Sequence, residues 1–181
     1  MIVRFQLILR LTNKRMRRTR VIPSLLLKRR GFYKTKKFKD PVYLGDPINI
    51  LKIFNDKEVD EICVLDIGAT PDATGPQLDY LGELASECFM PLAYGGGITS
   101  MEQIRQIFKI GFEKCIINTA FHENPDLVKR AADEFGSQSI MVSVDVRRKL
   151  LGNYEAYSLC GTTKTGINPI DAACQAEDLG A

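Results

Sequence analysis

The sequence is poor in the groups from which several common kinds of site are built. Its single histidine, His122, gives little basis for a histidine-ligated metal site or for a Ser-His-Asp triad. No G-x-G-x-x-G motif follows the first predicted strand, which weakens a dinucleotide-binding fold. No apolar run approaches the roughly 20 residues that cross a membrane. We therefore predict no metal site and no membrane partner, and we expect no bound cofactor.

Cysteine occurs in an odd number and without a pairing motif. Five cysteines are widely spaced and form no C-x-x-C motif: Cys63, Cys88, Cys115, Cys160 and Cys174. Three of them lie inside apolar strand or helix patterns, which suits reduced, buried thiols. Reduced thiols are typical of the cytosol, so the sequence predicts a cytoplasmic protein.

Basic and acidic residues are unevenly divided along a chain of otherwise ordinary composition. With 181 residues, 45% hydrophobic and 26% charged, the chain fits one soluble globular domain. The first 40 residues contain 14 lysines and arginines and one acid, Asp40, whereas the rest contain 11 bases and 21 acids. A basic segment can bind nucleic acid, but no recognition-helix pattern or interleaved aromatics accompany this one. We therefore predict no nucleic-acid partner.

The first fifteen residues differ from those that follow. Arg4 and Arg10 interrupt the apolar residues, and no small-residue cleavage site comes after them, so a secretion signal is not indicated. Met16 stands directly before a well-formed strand pattern. We interpret residues 1–15 as a non-native or disordered upstream extension, and residues 16–181 as part of a single domain.

Strand patterns alternate with helix patterns through the rest of the chain. The five predicted strands are Arg20–Leu27, Glu61–Ile67, Pro91–Tyr94, Lys114–Ile117 and Ser139–Val146. The five predicted helices begin at Asp46-Pro47, Gly75-Pro76, Ser100, Asn124-Pro125 and Asn168-Pro169. Residues 28–40 are predicted to be a basic loop, and residues 153–165 a small hairpin. The alternation predicts a parallel α/β fold, either an open doubly wound sheet or a (β/α)8 TIM barrel.

Candidate functional residues stand where the predicted strands end. Asp66 and Asp145 are placed near the ends of the second and fifth strands. Functional residues spread over many strand ends favour the barrel, which needs eight strands and typically about 250 residues. Five strands are present here. We therefore predict a TIM barrel truncated to about five strand-helix units, the N-terminal part of a domain whose strands six to eight are missing.

Two small or polar loops predict a phosphate site. The glycines at positions 95–97 follow the third strand, and Asn118 and Thr119 follow the fourth. Glycines let backbone N–H groups come close to an anion, and the asparagine and threonine add side-chain donors. A tight turn that needs glycine is the alternative reading of the triplet.

Seven motifs from Arg20 onward carry a resemblance to a known family. They are R-V-I-P-S-L, E-I-C-V-L-D-I, Y-G-G-G-I, K-C-I-I-N-T-A, E-N-P-D-L, F-G-S-Q-S-I-M-V-S-V-D and K-T-G-I. In order and spacing the chain resembles the cyclase subunit of imidazole glycerol phosphate synthase (HisF), a (β/α)8 barrel. The related phosphoribosyl isomerase shares the barrel but lacks the N-T-A and F-G-S-Q combination in this form.

The resemblance implies a reaction and its partners. HisF receives ammonia from a glutaminase subunit (HisH), with which it forms a heterodimer, and the ammonia passes through the barrel. It then reacts with a bis-phosphorylated ribulosyl intermediate, and a ring-closing lyase step yields imidazole glycerol phosphate. By position, Asp145 resembles the general acid/base, Lys34 the loop lysine over the substrate, and Asp66 a carboxylate near the active site. A loop-bracing role is the alternative for Asp66.

The resemblance also implies two groups of binding residues. The phosphate-binding residues would be Gly96, Gly97, Asn118 and Thr119. The ammonia gate at the bottom of the barrel would be Arg20, Glu61 and Lys114. Without the resemblance, a solvated salt-bridge cluster is the preferred reading of those three charged residues.

One position departs from the family's pattern and divides the function into alternatives. The family's first strand reads I-P-C-L-D-V, whereas Leu26 stands here at the aspartate position. Two carboxylates can divide acid and base roles, which a leucine cannot. Leu26 favours a branch that works with a HisH-like glutaminase and a separate sugar amidotransferase, so that ammonia reaches a surface (O-antigen type) sugar. Cyclase activity in histidine biosynthesis is the alternative, since Asp145 and Lys34 are retained, and an inactive fragment is the third.

Overall fold

The computed structural model describes residues 19–149 and 152–181. The predicted extension, residues 1–15, and Met16 lie outside the described residues. The strands are β1 (Ser24–Lys28), β2 (Gly31–Lys36), β3 (Lys39–Gly45), β4 (Ile62–Asp66), β5 (Leu92–Gly95), β6 (Lys114–Ile117), β7 (Ile140–Val142), β8 (Asp145–Arg148), β9 (Tyr154–Ser158) and β10 (Thr163–Lys164). The α-helices are α1 (Pro47–Asp56), α2 (Leu78–Ser86), α3 (Met101–Lys109), α4 (Thr119–Glu123), α5 (Asp126–Phe135) and α6 (Pro169–Asp178).

The central sheet is mostly parallel. Its seven strands are hydrogen-bonded in the order β3-β2-β1-β4-β5-β6-β7, and the five strands from β1 to β7 that alternate with helices run parallel to one another. The prediction of a parallel α/β fold is therefore confirmed. Among the described strands the sheet is open, with β3 at one edge and β7 at the other, so its closure into a barrel stays a prediction.

The prediction of a basic loop over residues 28–40 is wrong, because these residues form most of the antiparallel hairpin β2–β3. The first strand is also shorter than predicted and begins at Ser24. Lys37 and Phe38 connect β2 to β3, and both have left-handed backbone conformations, with φ of 53° and 62°. Two-residue hairpin turns with this backbone conformation usually contain Asn-Gly or Asp-Gly. A lysine and a phenylalanine carry no such signal.

The predicted fifth strand, Ser139–Val146, is wrong in its second half. Strand β7 ends at Val142, and the backbone N–H of Ser143 makes a last bond to the carbonyl of Ile117, at 2.9 Å. The chain then leaves the central sheet. Strand β8 pairs with β9, and β10 completes a three-stranded antiparallel sheet that contains the predicted hairpin. Asp145 therefore begins a strand of the second sheet instead of ending a strand of the first.

The two faces of the central sheet differ in burial. Register partners on one face, which packs with the helices in the core, are 0–1% exposed: Val64, Tyr94, Cys115 and Ile140. The opposite face carries Leu26, Leu65, Gly95, Ile116 and Met141 in one register row, and Met141 is 39% exposed. The first face follows from the strand patterns, because apolar residues recur there on every second position.

Three helices begin at the capping residues that the sequence predicts. Asp46 caps α1, and its carboxylate accepts the backbone N–H of Asn49 at 3.1 Å. Asn168 caps α6, and Ser100 with Gln103 forms a complete capping box at α3. Such caps satisfy N–H groups that the first helical turn leaves without partners. None of the described helices is long and apolar enough to cross a membrane.

The end of β5 has no room for a side chain at Gly96. A Cβ there would lie 2.5 Å from the carbonyl oxygen of Asp66, and Gly96 has a φ of 135°. By contrast, nothing lies within 4 Å of a Cβ at Gly82, inside α2. We expect Gly96→Ala to lower the free energy of unfolding by about 2–4 kcal/mol. The control, Gly82→Ala, should raise it by about 0.5–1 kcal/mol. Denaturant unfolding measures both, and a neutral Gly96→Ala would contradict the close approach.

Candidate functional site

Asp66 braces a loop at the carboxyl end of β4. One carboxylate oxygen accepts the backbone N–H groups of Gly68 and Ala69, at 2.9 and 3.0 Å, and the residue is 6% exposed. Burial raises the pKa of this carboxyl group, while the two hydrogen bonds oppose that rise. These contacts are those of the loop-bracing alternative, and a catalytic role for Asp66 stays a prediction.

Asp145 has the properties of a proton-transfer group. Its carboxyl group is partly buried at the start of β8, and this burial raises its pKa from 3.8 to about 6. A backbone hydrogen bond from Gly161 and the guanidinium of Arg147 oppose that rise. A carboxyl group with a pKa of about 6 can exchange protons near neutral pH. The structure thus gives Asp145 a suitable acidity, although at another place in the fold than the sequence predicts.

A turn at residues 159–161, which we call the site turn, connects the two sheets above the carboxyl ends of the parallel strands. The backbone N–H of Leu159 donates to the Thr119 hydroxyl at 3.2 Å. The Cys160 thiol donates to the carbonyl of Ile67 at 3.6 Å, and Gly161 bonds to Asp145. Sequence reasoning missed this turn, because no local motif announces contacts to residues 40 and 93 positions away.

Cys160 lies near both candidate carboxylates. Burial raises the pKa of its thiol, and the negative charges of Asp145 and Asp66 raise it further. A thiol in such a setting stays protonated at neutral pH, and it is therefore a poor nucleophile. The sequence around Cys160 predicts only a reduced thiol and gives no sign of these two carboxylates.

Three of the four predicted phosphate-binding residues, all but Gly96, already have hydrogen-bond partners. The N–H of Gly97 donates to the Thr70 hydroxyl at 3.1 Å, and the Asn118 amide donates to the carbonyl of Ser143 at 2.7 Å. Thr119 accepts from the site turn. A phosphate at this position would have to replace these contacts, so phosphate binding by the glycine loop stays a prediction.

Lys34 and Leu26 occupy neighbouring strands. Lys34 is exposed and lies on β2 opposite Val42, so the predicted loop lysine belongs to a strand. Leu26 pairs in register with Tyr33 on β2 and Leu65 on β4. The position that would hold the family's first aspartate is therefore flanked by an aromatic side chain on one strand and an apolar one on the other.

The structure brings Arg20, Glu61 and Lys114 together at the amino ends of the strands. The Glu61 side chain is 3% exposed, and one of its oxygens lies 2.5 Å from the Lys114 ammonium and 3.7 Å from the Arg20 guanidinium. Arg20 is 60% exposed, so one side of the cluster faces solvent. The neighbouring Cys63 thiol has a pKa raised to about 11, by burial and by the charge of Glu61. A fully solvated cluster does not describe this arrangement, because the shared carboxylate is buried.

No group of three or more His, Cys, Asp or Glu residues that could hold a metal ion occurs in the described parts of the chain. Both ring nitrogens of His122 are buried without a hydrogen-bond partner among the described residues. Burial lowers the pKa of this imidazole. A neutral, enclosed imidazole has no carboxylate to orient it, so nothing here forms a triad.

The pKa of Asp145 predicts how stability depends on pH. Because its folded pKa of about 6 exceeds the ordinary 3.8, the folded protein holds the proton more tightly, and the free energy of unfolding falls as pH rises through that window. Asp145→Asn keeps an oxygen acceptor for Gly161. It should stabilise the protein by about 1–3 kcal/mol at pH 7 and have little effect at pH 3.5. Urea unfolding at both pH values measures this, and an equal effect at both would contradict it.

Comparison with known proteins gives the family. A family model described as "Histidine biosynthesis protein" matches residues 20–181. The chain is 48% identical over 163 residues to "Putative imidazole glycerol phosphate synthase subunit hisF2" of Pseudomonas aeruginosa, across 90% of this chain and 65% of that protein. It is 38% identical over 162 residues to "Imidazole glycerol phosphate synthase subunit HisF" of Alkaliphilus metalliredigens, across 90% and 64%.

Each alignment covers only part of the relative's own length. A third relative, "Putative imidazole glycerol phosphate synthase subunit hisF3" of Vibrio vulnificus, is 44% identical over 168 residues, across 92% of this chain and 65% of its own length. The chain thus spans about 65% of the curated relatives it matches. Because the family model covers all but the first nineteen residues, the chain belongs to the histidine biosynthesis protein family, as a HisF-like member.

Proposed function

We propose that this chain is the ammonia-accepting subunit of a glutamine-dependent enzyme, built on the first five strand-helix units of a (β/α)8 barrel. A HisH-like glutaminase would bind at the amino ends of the parallel strands, and a phosphorylated acceptor at their carboxyl ends. The observation that carries the proposal is the buried Glu61 with its two cations at the amino ends. The candidate acid/base, Asp145, lies at the opposite end.

The sheet face between the two ends suits the passage of ammonia. Behind the charged cluster, one register row contains Ser24, Cys63 and Ala93 beside Lys114. The next row contains Leu26, Leu65, Gly95 and Ile116. Ammonia is small and neutral, so a mostly apolar path does not impose the desolvation penalty that a charged species would meet. Charged groups at the entrance and apolar groups behind it would together admit ammonia and reject ammonium.

At the acceptor, the nitrogen lone pair of ammonia would attack an electrophilic carbon. The new bond leaves a positive charge on nitrogen, so a base must remove a proton, and the leaving oxygen needs one. Asp145, with a pKa of about 6, can perform both transfers in turn. Lys34, exposed on β2, would bind a negative group of the acceptor.

Leu26 is the reason to favour a sugar acceptor. A leucine between Tyr33 and Leu65 cannot share proton transfers with Asp145, and losing one such partner typically lowers a rate by a factor of about 10²–10⁴. Amidation or acetamidino modification of a surface (O-antigen type) sugar, together with a separate amidotransferase, would need ammonia handling at the bound acceptor without the full cyclase chemistry. Cyclase activity in histidine biosynthesis is the second candidate, favoured by Asp145 and Lys34.

Charge reversal at the cluster tests the ammonia path. With the HisH-like glutaminase of the same cell, the wild-type subunit should form a complex and stimulate glutamine hydrolysis. Glu61→Lys leaves three cations together and should reduce that stimulation at least about tenfold. Arg20→Glu, at a position that is 60% exposed, should do the same with less risk to folding.

The matched control is Lys164→Glu, which reverses an exposed charge on β10, in the second sheet and not at the amino ends of the parallel strands. Glutamine hydrolysis with and without the subunit, and complex formation by size-exclusion chromatography, are the measurements. Unchanged complex formation and stimulation in both cluster variants would contradict the gate. A wild-type subunit that binds no glutaminase would contradict the proposed function itself.

A substitution at Leu26 tests the choice between acceptors. The full-length protein should fail to support growth of a cell that lacks its own cyclase subunit, even with ammonia in excess. Leu26→Asp should restore part of the activity because Asp145 is already in place, although an apolar setting raises the new carboxyl pKa and lowers stability. Adding Asp145→Asn should abolish the gain. Wild-type turnover of the ribulosyl substrate at about 1–10³ s⁻¹ would instead establish the histidine pathway.

A further inference from the structure

The hairpin β2–β3 concentrates positive charge that has few partners. Seven lysines and arginines and no acid occur from residue 28 to residue 39: Lys28, Arg29, Arg30, Lys34, Lys36, Lys37 and Lys39. Within the described ranges, only Arg30 of these has a carboxylate oxygen within 4 Å, that of Glu83 at 3.8 Å. Residues 36–39, which we call the hairpin tip, are all exposed. Their three charges are therefore available to an external ligand.

The hairpin tip holds its charges in an unfavourable arrangement. Lys36 and Lys39 are register partners on adjacent strands, and like charges placed opposite each other destabilise a strand pair. Lys37 and Phe38 have left-handed backbone conformations, as does Asp40 with φ of 52°. Residues other than glycine, asparagine and aspartate seldom adopt this conformation, which is strained. Strain of this kind clusters at ligand-binding sites, where a bound ligand can offset it.

The hairpin tip lies beside the site turn. A Cβ at Gly161 would lie 3.0 Å from ring atoms of Phe38, so the Phe38 ring packs directly against Gly161. The Arg147 guanidinium lies 5.5 Å from the centre of the Phe38 ring and 5.2 Å from that of Tyr157. Since Gly161 also bonds to Asp145, the basic tip borders the candidate reaction site.

We infer that Lys36, Lys37 and Lys39 bind a diphosphate group of the substrate, so that the acceptor belongs to the class of diphosphate-linked sugars. This rests on the proposed function, in which the acceptor is phosphorylated and lies at the carboxyl ends of the strands. Three lysines spread over the hairpin tip, with Arg147 against Phe38 between them, can contact the oxygens of two linked phosphoryl groups at once, which a single phosphate does not offer. Within the described residues, these three lysines lie on one hairpin whose Phe38 contacts the site turn, which fits a small ligand better than a nucleic acid.

Binding of uridine diphosphate and of inorganic phosphate to the full chain tests the inference. The tip variant is K36Q/K37Q/K39Q, and the matched control, K52Q/K109Q/K129Q, removes the same charge from exposed lysines on α1, α3 and α5. By titration calorimetry at low salt, the tip variant should bind uridine diphosphate at least about tenfold more weakly than the wild type. The control should match the wild type, and phosphate affinity should be the same in all three.

Thermal unfolding gives a second measurement. Without ligand, the tip variant should be at least as stable as the wild type, because the repulsion between Lys36 and Lys39 is gone. Uridine diphosphate should raise the unfolding temperature of the wild type and of the control more than that of the tip variant. A role of the lysines in folding alone would instead lower the ligand-free stability of the tip variant.

Three results would overturn the inference. The wild type could bind uridine diphosphate no more tightly than phosphate, or the control could lose as much affinity as the tip variant. A single-stranded RNA oligonucleotide could also bind more tightly than uridine diphosphate and be lost in the tip variant, which would assign the tip to nucleic acid. None of these results changes the coupling to the glutaminase, so the proposed function is tested separately.

Discussion

The close approach of two backbones at the ends of β4 and β5 is the constraint on which the candidate site depends. Only a glycine at position 96 leaves room for the carbonyl of Asp66. With this contact in place, Asp66 can brace its loop, and Thr70 can accept the N–H of Gly97. The glycines are thus required by packing whether or not an anion binds. Their presence supports a phosphate site less than the sequence pattern indicates.

The candidate catalytic and binding residues of the carboxyl ends lie between the two sheets. Thr119 follows a strand of the central sheet, whereas Asp145 begins a strand of the small one, and the site turn bonds to both. Desolvation of Asp145 in this crevice moves its pKa to about 6, where a carboxyl group can serve as acid and as base. The second sheet therefore supplies the candidate acid/base group, and residues at the ends of the central strands hold the turn beside it.

The two ends of the parallel strands differ in the charged groups that they carry. At the amino ends, Glu61 is buried, and burying a carboxylate is costly unless cations compensate it, as Lys114 and Arg20 do here. At the carboxyl ends, Leu26 adds no charge, so Asp145 has no carboxylate partner from β1. An apolar residue there removes electrostatic repulsion but also removes a proton-transfer group. The missing proton-transfer group is the reason to propose ammonia delivery, and not ring closure, as the activity.

Local patterns in the sequence determined the helix starts at Asp46, Ser100 and Asn168 and the strand Lys114–Ile117, because capping and burial depend on residues close in the chain. They also gave the parallel α/β class. The hairpin β2–β3 and the departure of β8 into a second sheet were decided only by the tertiary structure. Strand pairing there depends on partners that periodicity does not reveal: a turn without glycine or asparagine, and a tyrosine, Tyr157, opposite Asp145. The raised pKa of Asp145 has the same origin, since burial is a property of the assembled fold.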